Sequence, residues 1–488
     1  MEERTGETNP NPAEKPARGP SKLQTIITLL ACGGALAWAT KTSLDGMKPS
    51  TQWIKQLRKG DAEDRQVAAR QLGDLGSEEA STVLPMLVTA MSDPDELVRA
   101  AASSALGTAG LAAIQAKVKN VDLKAVGLAL IGALKDEGAD VRAAAAYSLG
   151  EFAQKLKGPD FPADPASVAQ GLARLATDPE ALARKRGEVA LAKLGANAPV
   201  PAPAELVEGL NAWPAKEARA TAAVVLGWFK TDVGSTVPPL IRALADKEPE
   251  VRSNAAAALG RLGEDAALAL PTLASTLADP FAPVPIPSLG SALAGAQGGG
   301  SYGSDVPTDP AVQAALAIGR IATAGDPAKV SVSAEAVEAL VKASQSDRQA
   351  LREAASSALK RIGKGASAAI PAMIQRLVAS APTANYGSGP VVATLLGDIA
   401  PGSDRAVEAI TALTSALDAE FDFTRMAAVE ALGKFGPAAI AALPRLKELG
   451  QGAAGDLAAA VKLASDRIEG KVPVEVPRRQ GGRGRGRG

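Results

Sequence analysis

The sequence predicts an all-α fold: an α-solenoid of about ten two-helix units, preceded by one transmembrane or signal-anchor helix. Three observations predict it. A ten-residue frame recurs with Arg at its second place, a Pro-centred pattern recurs ahead of that frame, and one uncharged apolar run lies near the N-terminus. A small unit repeated at this spacing cannot bury its own apolar face, so successive copies stack into an array.

Seven segments fit the frame: DRQVAARQLG (Asp64 to Gly73), VRAAASSALG (Val98 to Gly107), VRAAAAYSLG (Val141 to Gly150), ARATAAVVLG (Ala218 to Gly227), VRSNAAAALG (Val251 to Gly260), LREAASSALK (Leu351 to Lys360) and TRMAAVEALG (Thr424 to Gly433). Arg65, Arg99, Arg142, Arg184, Arg219 and Arg252 follow one another at intervals of 34, 43, 42, 35 and 33 residues. Arg184 belongs because its segment ends Leu191–Ala192–Lys193–Leu194–Gly195, as that of Arg252 ends Leu259–Gly260–Arg261–Leu262–Gly263. Two further units keep the ending without the Arg, Ile318–Gly319–Arg320–Ile321 and Leu396–Gly397–Asp398–Ile399, with Ala311 and Gly389 in the Arg place. Arg352 and Arg425 bring the count to ten, and residues 456–469 read as an eleventh, degenerate helix that caps the end.

Apolar residues inside the frame fall at helical spacing, as in Val98, Ala101, Ala102, Ala105 and Leu106, so each segment is an amphipathic helix. Asp93–Pro94, Asp178–Pro179, Glu248–Pro249 and Asp309–Pro310 precede it, and an acidic cap followed by Pro is a helix-start signal. Gly76, Gly110, Gly195, Gly263, Gly363 and Gly436 stand eleven residues past their Arg, where a left-handed helix stop is expected. The other helix of each unit is marked by Pro85, Pro238, Pro271, Pro371 and Pro444, followed two residues later by Leu87, Leu240, Leu273, Met373 and Leu446. A Pro opens or bends a helix because it lacks the backbone N–H.

Two helices per unit, with Pro in the first and Asp and Arg before the second, resemble the HEAT repeat, especially its bacterial phycobilisome-lyase-like branch. The resemblance covers roughly residues 51–469. It implies a scaffold that binds other proteins, and an Arg that reaches an acidic or carbonyl group of the preceding unit to form a ladder along the stack. On that reading Arg65, Arg99, Arg142, Arg184, Arg219, Arg252, Arg352 and Arg425 are structural. Asp93, Asp136, Asp246 and Asp418, shortly before their Arg, are the candidate caps or partners. The competing reading makes the same residues a basic stripe that binds a ligand directly.

Aromatic residues make up 3% of the chain and Ala fills the helix faces, which lets helices approach closely. The net charge is zero, so no global field favours nucleic acid. The balance is uneven at the end: Lys471, Arg478, Arg479, Arg483, Arg485 and Arg487 against Glu475 give residues 471–488 a net of +5. With Pro473, Pro477 and GGRGRGRG, residues 470–488 are expected to form a disordered tail. Such a run is a plain solvated tail, or it contacts an anionic surface or RNA; it lacks the aromatics that stack on bases. Residues 280–310, rich in Pro and Gly, stretch the interval from Arg252 to Ala311 to 59 residues and are expected to leave the stack as a long loop. Shorter breaks fall at 196–204 and 380–390, and Tyr302 and Tyr386 lie in Gly/Ser stretches suited to partner contact.

Leu23 to Thr40 carries no charge over 18 residues, roughly the length that crosses the ~30 Å hydrocarbon layer. It follows an arm, residues 1–22, expected to be disordered. The favoured reading is a single-pass anchor with the solenoid on the non-cytoplasmic side. A cleaved signal peptide ending at Ala37–Trp38–Ala39 and a lipoprotein acylated at Cys32 are the alternatives, since Leu29–Leu30–Ala31–Cys32 resembles a lipobox and Cys32 is the sole cysteine.

Histidine is absent, which removes the commonest general base, the Ser-His-Asp and Cys-His constellations and His-based metal sites. No phosphate-cradling G-x-x-x-x-G-K-S/T occurs, and GGGSYG (Gly298 to Gly303) lacks a strand-turn-helix setting. No catalytic residue, cofactor or metal is expected. The resulting expectation is a membrane-tethered, non-catalytic scaffold for another protein. A structural spacer of a cell-envelope assembly, or binding of nucleic acid or an anionic surface through the tail, are the alternatives.

Overall fold

In the computed structural model of the chain, the described residues are 48–156, 161–197, 200–280, 309–324, 332–380 and 389–474. The arm 1–22, the apolar run 23–40 with Cys32, residues 281–308 with Tyr302, residues 381–388 with Tyr386, and 475–488 of the tail lie outside them. Among the described residues there are twenty-two α-helices and no strand. Taken in chain order as pairs, they form eleven units. Units 1 to 4 are α1 (Pro49–Lys59) with α2 (Ala62–Asp74), α3 (Ala80–Ala90) with α4 (Glu96–Gln115), α5 (Leu123–Ala133) with α6 (Ala139–Lys155), and α7 (Pro165–Ala173) with α8 (Ala181–Asn197). Units 5 to 8 are α9 (Ala204–Ala212) with α10 (Lys216–Leu226), α11 (Val233–Ala243) with α12 (Pro249–Leu262), α13 (Leu270–Thr276) with α14 (Pro310–Ile321), and α15 (Ala334–Ala343) with α16 (Gln349–Ile362). Units 9 to 11 are α17 (Ile370–Ser380) with α18 (Gly389–Ile399), α19 (Ala406–Ser415) with α20 (Asp422–Phe435), and α21 (Leu443–Gly452) with α22 (Gly455–Ile468). The end of the array is thus a complete helix pair rather than a lone capping helix.

The even-numbered helices form one row and the odd-numbered helices the other, with the apolar core between them. Neighbouring even helices pack directly on each other, while neighbouring odd helices touch far less. A stack with one row spaced more tightly curves towards that row, so the even helices line the concave side. Two stretches, Glu96–Gln115 and Asp422–Gly452, are long and apolar enough to cross a bilayer, but they belong to the repeats, and an apolar 18-residue window in each is 67% and 56% buried in the stack.

Local chemistry sets the helix ends. Asp61, Asp95, Asp122, Asp164 and Asp309 accept first-turn amides of α2, α4, α5, α7 and α14. Of the four acidic–Pro pairs, only Asp309 caps a helix in this way. Asp93 and Asp178 instead accept the amide two residues on, from Asp95 and Glu180 at 2.9 Å each, and Asp246 does the same for Glu248. These are Asx turns between the two helices of a unit, and they fix each carboxylate in one orientation.

Gly76, Gly263, Gly363 and Gly436 have φ of +73°, +68°, +57° and +56°, the positive φ expected of a glycine stop, but ψ of −136°, −129° and −139° at the last three lies outside the left-handed helical well. The last three open 3-10 turns, Gly263–Ala269, Gly363–Ala369 and Gly436–Ala442, that run straight into α13, α17 and α21 with Pro271, Pro371 and Pro444 in their first turns. The glycine and proline signals are therefore two ends of one connector. Gly110 and Gly195 are corrections: both lie inside helices, α4 and α8. A Cβ there would stand 3.2 Å from Phe152 Cζ and 3.0 Å from Phe229 Cδ2. At these two places glycine makes room for an aromatic ring of the following unit.

The glycine that ends the frame has a tertiary cause as well. A Cβ would stand 2.8 Å from Ala105 Cα at Gly73, 2.9 Å from Ala317 Cα at Gly260 and 2.7 Å from Ala431 Cα at Gly397. Gly73, Gly150, Gly227, Gly260, Gly319, Gly397 and Gly433 thus rest a bare backbone on an alanine of the next even helix, and Gly107 rests on Ser148. Ala192 in α8 and Lys360 in α16 replace that glycine, and α8–α10 and α16–α18 are the even-row seams of shortest contact. These two seams divide the array into units 1–4, 5–8 and 9–11. Stability in such arrays is a sum of unit and seam terms, so local opening should follow the weak seams. Hydrogen exchange read by mass spectrometry is expected to show three blocks of uniform protection with steps at α8–α10 and α16–α18. A gradient running smoothly from the ends would contradict this.

Candidate functional site

The frame arginines converge on the edge of the stack where the two helices of each unit join. Arg99 lies in the first turn of α4 and sends Nε and Nη2 to Asp136 at 2.8 Å each, in the turn between α5 and α6. Its Nη1 donates to the carbonyls of Asp93 at 2.9 Å and Pro94 at 3.2 Å in its own unit. Arg65 forks onto Asp93 in the same manner, Arg142 onto Asp178, Arg219 onto Asp246 and Arg252 onto Asp279. The carboxylate lies 27 to 37 residues further along the chain, so it comes from the following unit. This corrects the expected direction, which pointed to the preceding one. The planar fork of Arg matches both carboxylate oxygens, a geometry a single ammonium does not reproduce.

Each turn Asp is therefore a node. The carboxylate of Asp136 takes the fork of Arg99 and the amide of Gly138, while its carbonyl takes Arg142 Nη1 at 2.9 Å. Burial pushes the carboxyls of Asp93, Asp136, Asp178 and Asp246 up, and the guanidinium fork with the turn amide outweighs it, leaving all four below their ordinary value. Their partners Arg65, Arg99, Arg142 and Arg219 are raised, first by that same hydrogen bond.

The ladder breaks where its sequence does. Arg184 keeps its two carbonyls, Asp178 and Pro179, but the following turn has Trp213 in place of Asp and offers no carboxylate. Ala311 and Gly389 lack the Arg, and the turns that follow them carry Ser346 and Ala419 where Asp would stand. Arg and its partner are lost together. Arg352 bonds the carbonyls of Ser346 and Asp347, and the turn after it lies outside the described residues. Arg425 bonds the carbonyls of Ala419 and Glu420 and the side chain of Asp422 in its own first turn. Asp418 is out of register as its partner and pairs instead with Arg445.

Arg348 repairs the gap at Ala311. It donates Nη2 to the carbonyl of Asp279 at 3.1 Å and Nη1 to Asp309 Oδ2 at 3.0 Å, reaching back from unit 8 to unit 7. The frame gave no hint of it, because it stands four places before Arg352. The forks of Arg65, Arg99, Arg142, Arg219 and Arg252 are thus spent within the fold, which leaves little of these five for a ligand.

The surface that is not spent lies on the concave row. A groove of about 400 Å³ crosses α2, α4, α6 and α8, lined by Arg70, Leu97, Ser104, Tyr147, Leu182 and Arg186 among others. Leu97 is 49% exposed, Tyr147 40% and Leu182 54%, three large apolar groups open to solvent on one face. Arg186 lies over the Tyr147 ring at 4.5 Å, which holds the ring flat and brings a cation to the groove wall. Leu97 and Leu182 each stand two places before their frame Arg, where the helix turns its side chain away from the seam. Further along, over α8, α10 and α12, the face becomes polar, with Lys185, Glu217, Thr221, Glu250 and Asn254. Tyr147 sits inside a frame of small and apolar residues, and nothing in its sequence position signals its exposure. Among the described residues no group of His, Cys, Asp and Glu could hold a metal ion.

Residues 50–122 and 203–292, which contain α1 to α4 and α9 to α13, match a family model of HEAT repeats. No curated protein matches the chain. Among solved structures the chain is similar to importin beta in an ammonium sulfate condition, with 16% identity and a TM-score of 0.52 over 87% of this chain and 56% of that one. It is also similar to an engineered protein, with 20% identity and a TM-score of 0.41 over 80% and 99% of the two chains. The karyopherin Kap121p bound to the extreme C-terminus of the protein phosphatase Cdc14p aligns with 14% identity and a TM-score of 0.42, over 81% and 46%. The chain spans about half the length of the importin and karyopherin structures. At these identities the likeness concerns the fold: an α-solenoid with HEAT repeats.

Proposed function

We propose that this HEAT-repeat solenoid is a non-catalytic scaffold, tethered to a membrane by residues 23–40, that docks another protein in the concave groove over units 1 to 4. The observation that carries the reading is the exposed set Leu97, Tyr147 and Leu182 between Arg70 and Arg186 on a rigid helical face. Large apolar and aromatic groups flanked by Arg are the composition of interface centres, and stacked helical repeats present extended concave surfaces of this kind. The uncharged stretch Leu23 to Thr40 supports the tether, and the absence of histidine supports the non-catalytic reading. On this reading the solenoid lies on the non-cytoplasmic side.

A photocrosslinking side chain at position 147 is expected to give a discrete adduct in intact cells, and one at position 128, exposed on the odd row, none. Leu182→Asp should abolish the first adduct. Equal adducts at both positions, or an adduct indifferent to Leu182→Asp, would refute docking in the groove. For the tether, full-length chain should stay in the membrane pellet after alkaline carbonate extraction, and a chain starting at residue 49 should not.

A further inference from the structure

The residue after the seam glycine forms a second row along the stack, at the far end of the even helices from the ladder. In units 3 and 4 this row is an ion pair, Glu151 with Lys193 at 2.8 Å, and in units 9 and 10 it is Asp398 with Lys434 at 2.6 Å. In units 6, 7 and 8 it is Arg261, Arg320 and Arg361, three cations in succession. None of the three is in an ion pair among the described residues.

Their stems have a structural task. Arg320 Cδ lies 3.5 Å from where a Cβ of Gly260 would be, and Arg361 Cδ 3.6 Å from that of Gly319, so each aliphatic stem covers the bare backbone of the unit before. The head groups are another matter. Arg261 Nη2 donates to the Val224 carbonyl at 2.9 Å and its guanidinium lies 5.2 Å from the Trp228 ring, while its Nε is buried with no acceptor. Arg361 Nη2 donates to Thr323 Oγ1 at 3.1 Å, and the Arg320 and Arg361 side chains are exposed. Burial pushes Arg261 down to about 10 and the neighbouring Arg320 adds to it, while the charge of Glu188 opposes the shift without outweighing it. Placing like charges on successive rungs costs stability, where a carboxylate on alternate rungs, as in units 3 and 4, would relieve it.

We propose that Arg261, Arg320 and Arg361 form an anion-recognition strip for an acidic protein segment, separate from the concave groove. Both seams between these rungs are glycine–alanine contacts, Gly260 with Ala317 and Gly319 with Ala358, so the spacing of the three cations is fixed before anything binds. Helices packed this way lie about 8–10 Å apart. The strip therefore spans roughly 20 Å, too long for one small anion and suited to an extended segment with several carboxylates.

The test uses the full-length chain and a fluorescent twelve-residue glutamate-rich peptide, with a glutamine-rich peptide as control. Arg320→Gln with Arg361→Gln keeps the stems over the two glycines and removes the charge. The double variant is expected to bind the glutamate peptide at least tenfold more weakly than the natural chain, and its binding should depend less steeply on salt. Its unfolding midpoint without peptide should be equal or higher, because repulsion is relieved, whereas a purely structural role would lower it. Arg58→Gln with Arg405→Gln, which removes the same charge elsewhere, should leave binding unchanged. Equal binding by the natural chain and the double variant overturns the proposal, as does equal loss in the two double variants. Displacement of the peptide by millimolar inorganic phosphate alone overturns the extended-segment reading. Crosslinking from position 147 reads the groove separately, so either site can fail without the other.

Discussion

Arg142→Ala is expected to destabilise the chain by about 3 kcal/mol, read as a fall in the urea unfolding midpoint of its block, and to be the most damaging substitution on the ladder. The change strips two charge-assisted bonds from Asp178, whose side chain is only 5% exposed, and leaves the carbonyls of Asp136 and Glu137 without their donor. Arg142→Lys should recover only part of the loss, since an ammonium cannot serve both carboxylate oxygens and both carbonyls. Arg184→Ala is the internal control. It removes two carbonyl contacts and no carboxylate, so it should cost about 1 kcal/mol.

The same deficit carries a pH signature. Asp136 and Asp178 titrate below their ordinary value of 3.8 in the folded chain, so the unfolded chain binds more protons in that range. Ladder stabilisation is then full above that value and is lost as pH falls through the lower folded values. The gap between Arg142→Ala and the natural chain should narrow there. A variant with unchanged stability and abolished partner binding would turn the ladder into a recognition stripe.

Gly397→Val is expected to cost about 2–3 kcal/mol despite replacing glycine inside a helix, where propensity alone favours the change. Its first side-chain carbon would stand 2.7 Å from both the Cα and the Cβ of Ala431, so α18 and α20 must separate to admit it. The backbone is what blocks it, and backbone does not rotate aside as a side chain does. Ala192→Gly at the open α8–α10 seam tests the converse. There a fully buried methyl is already accommodated, so removing it should cost the propensity of about 1 kcal/mol and about 1 kcal/mol more for the lost burial, with no clash relieved. A Gly397→Val chain as stable as the natural one would mean that the seams are set by something other than glycine–alanine contact.

Much of the fold was legible because a repeat states its rules several times. A stop at positive φ favours glycine wherever it occurs, and the first turn of a helix, whose N–H groups have no helical acceptor, accepts Pro wherever it starts, so Gly263, Gly363 and Gly436 and Pro271, Pro371 and Pro444 marked boundaries without any knowledge of packing. Gly110 and Gly195 misled for the same reason. The backbone rule and the packing rule both ask for glycine, and only the position of Phe152 and Phe229 tells them apart.

The groove was harder to foresee. Tyr147 shares a frame with buried alanines, and which of two neighbouring positions faces the core depends on how the next helix is rotated. The Arg261, Arg320 and Arg361 strip was visible as letters but not as a row, since Arg320 and Arg361 are far apart in sequence and meet only because the units stack in register. By itself, then, the sequence determined the helical unit, its punctuation and its repetition, because these follow from backbone sterics and periodic apolar residues within a few turns of chain. Tertiary structure alone decided the direction of the Arg–Asp forks, the two weak seams, the repair by Arg348 and the exposed groove. Each of those is a relation between units, fixed by how closely and in what rotation neighbouring helices pack.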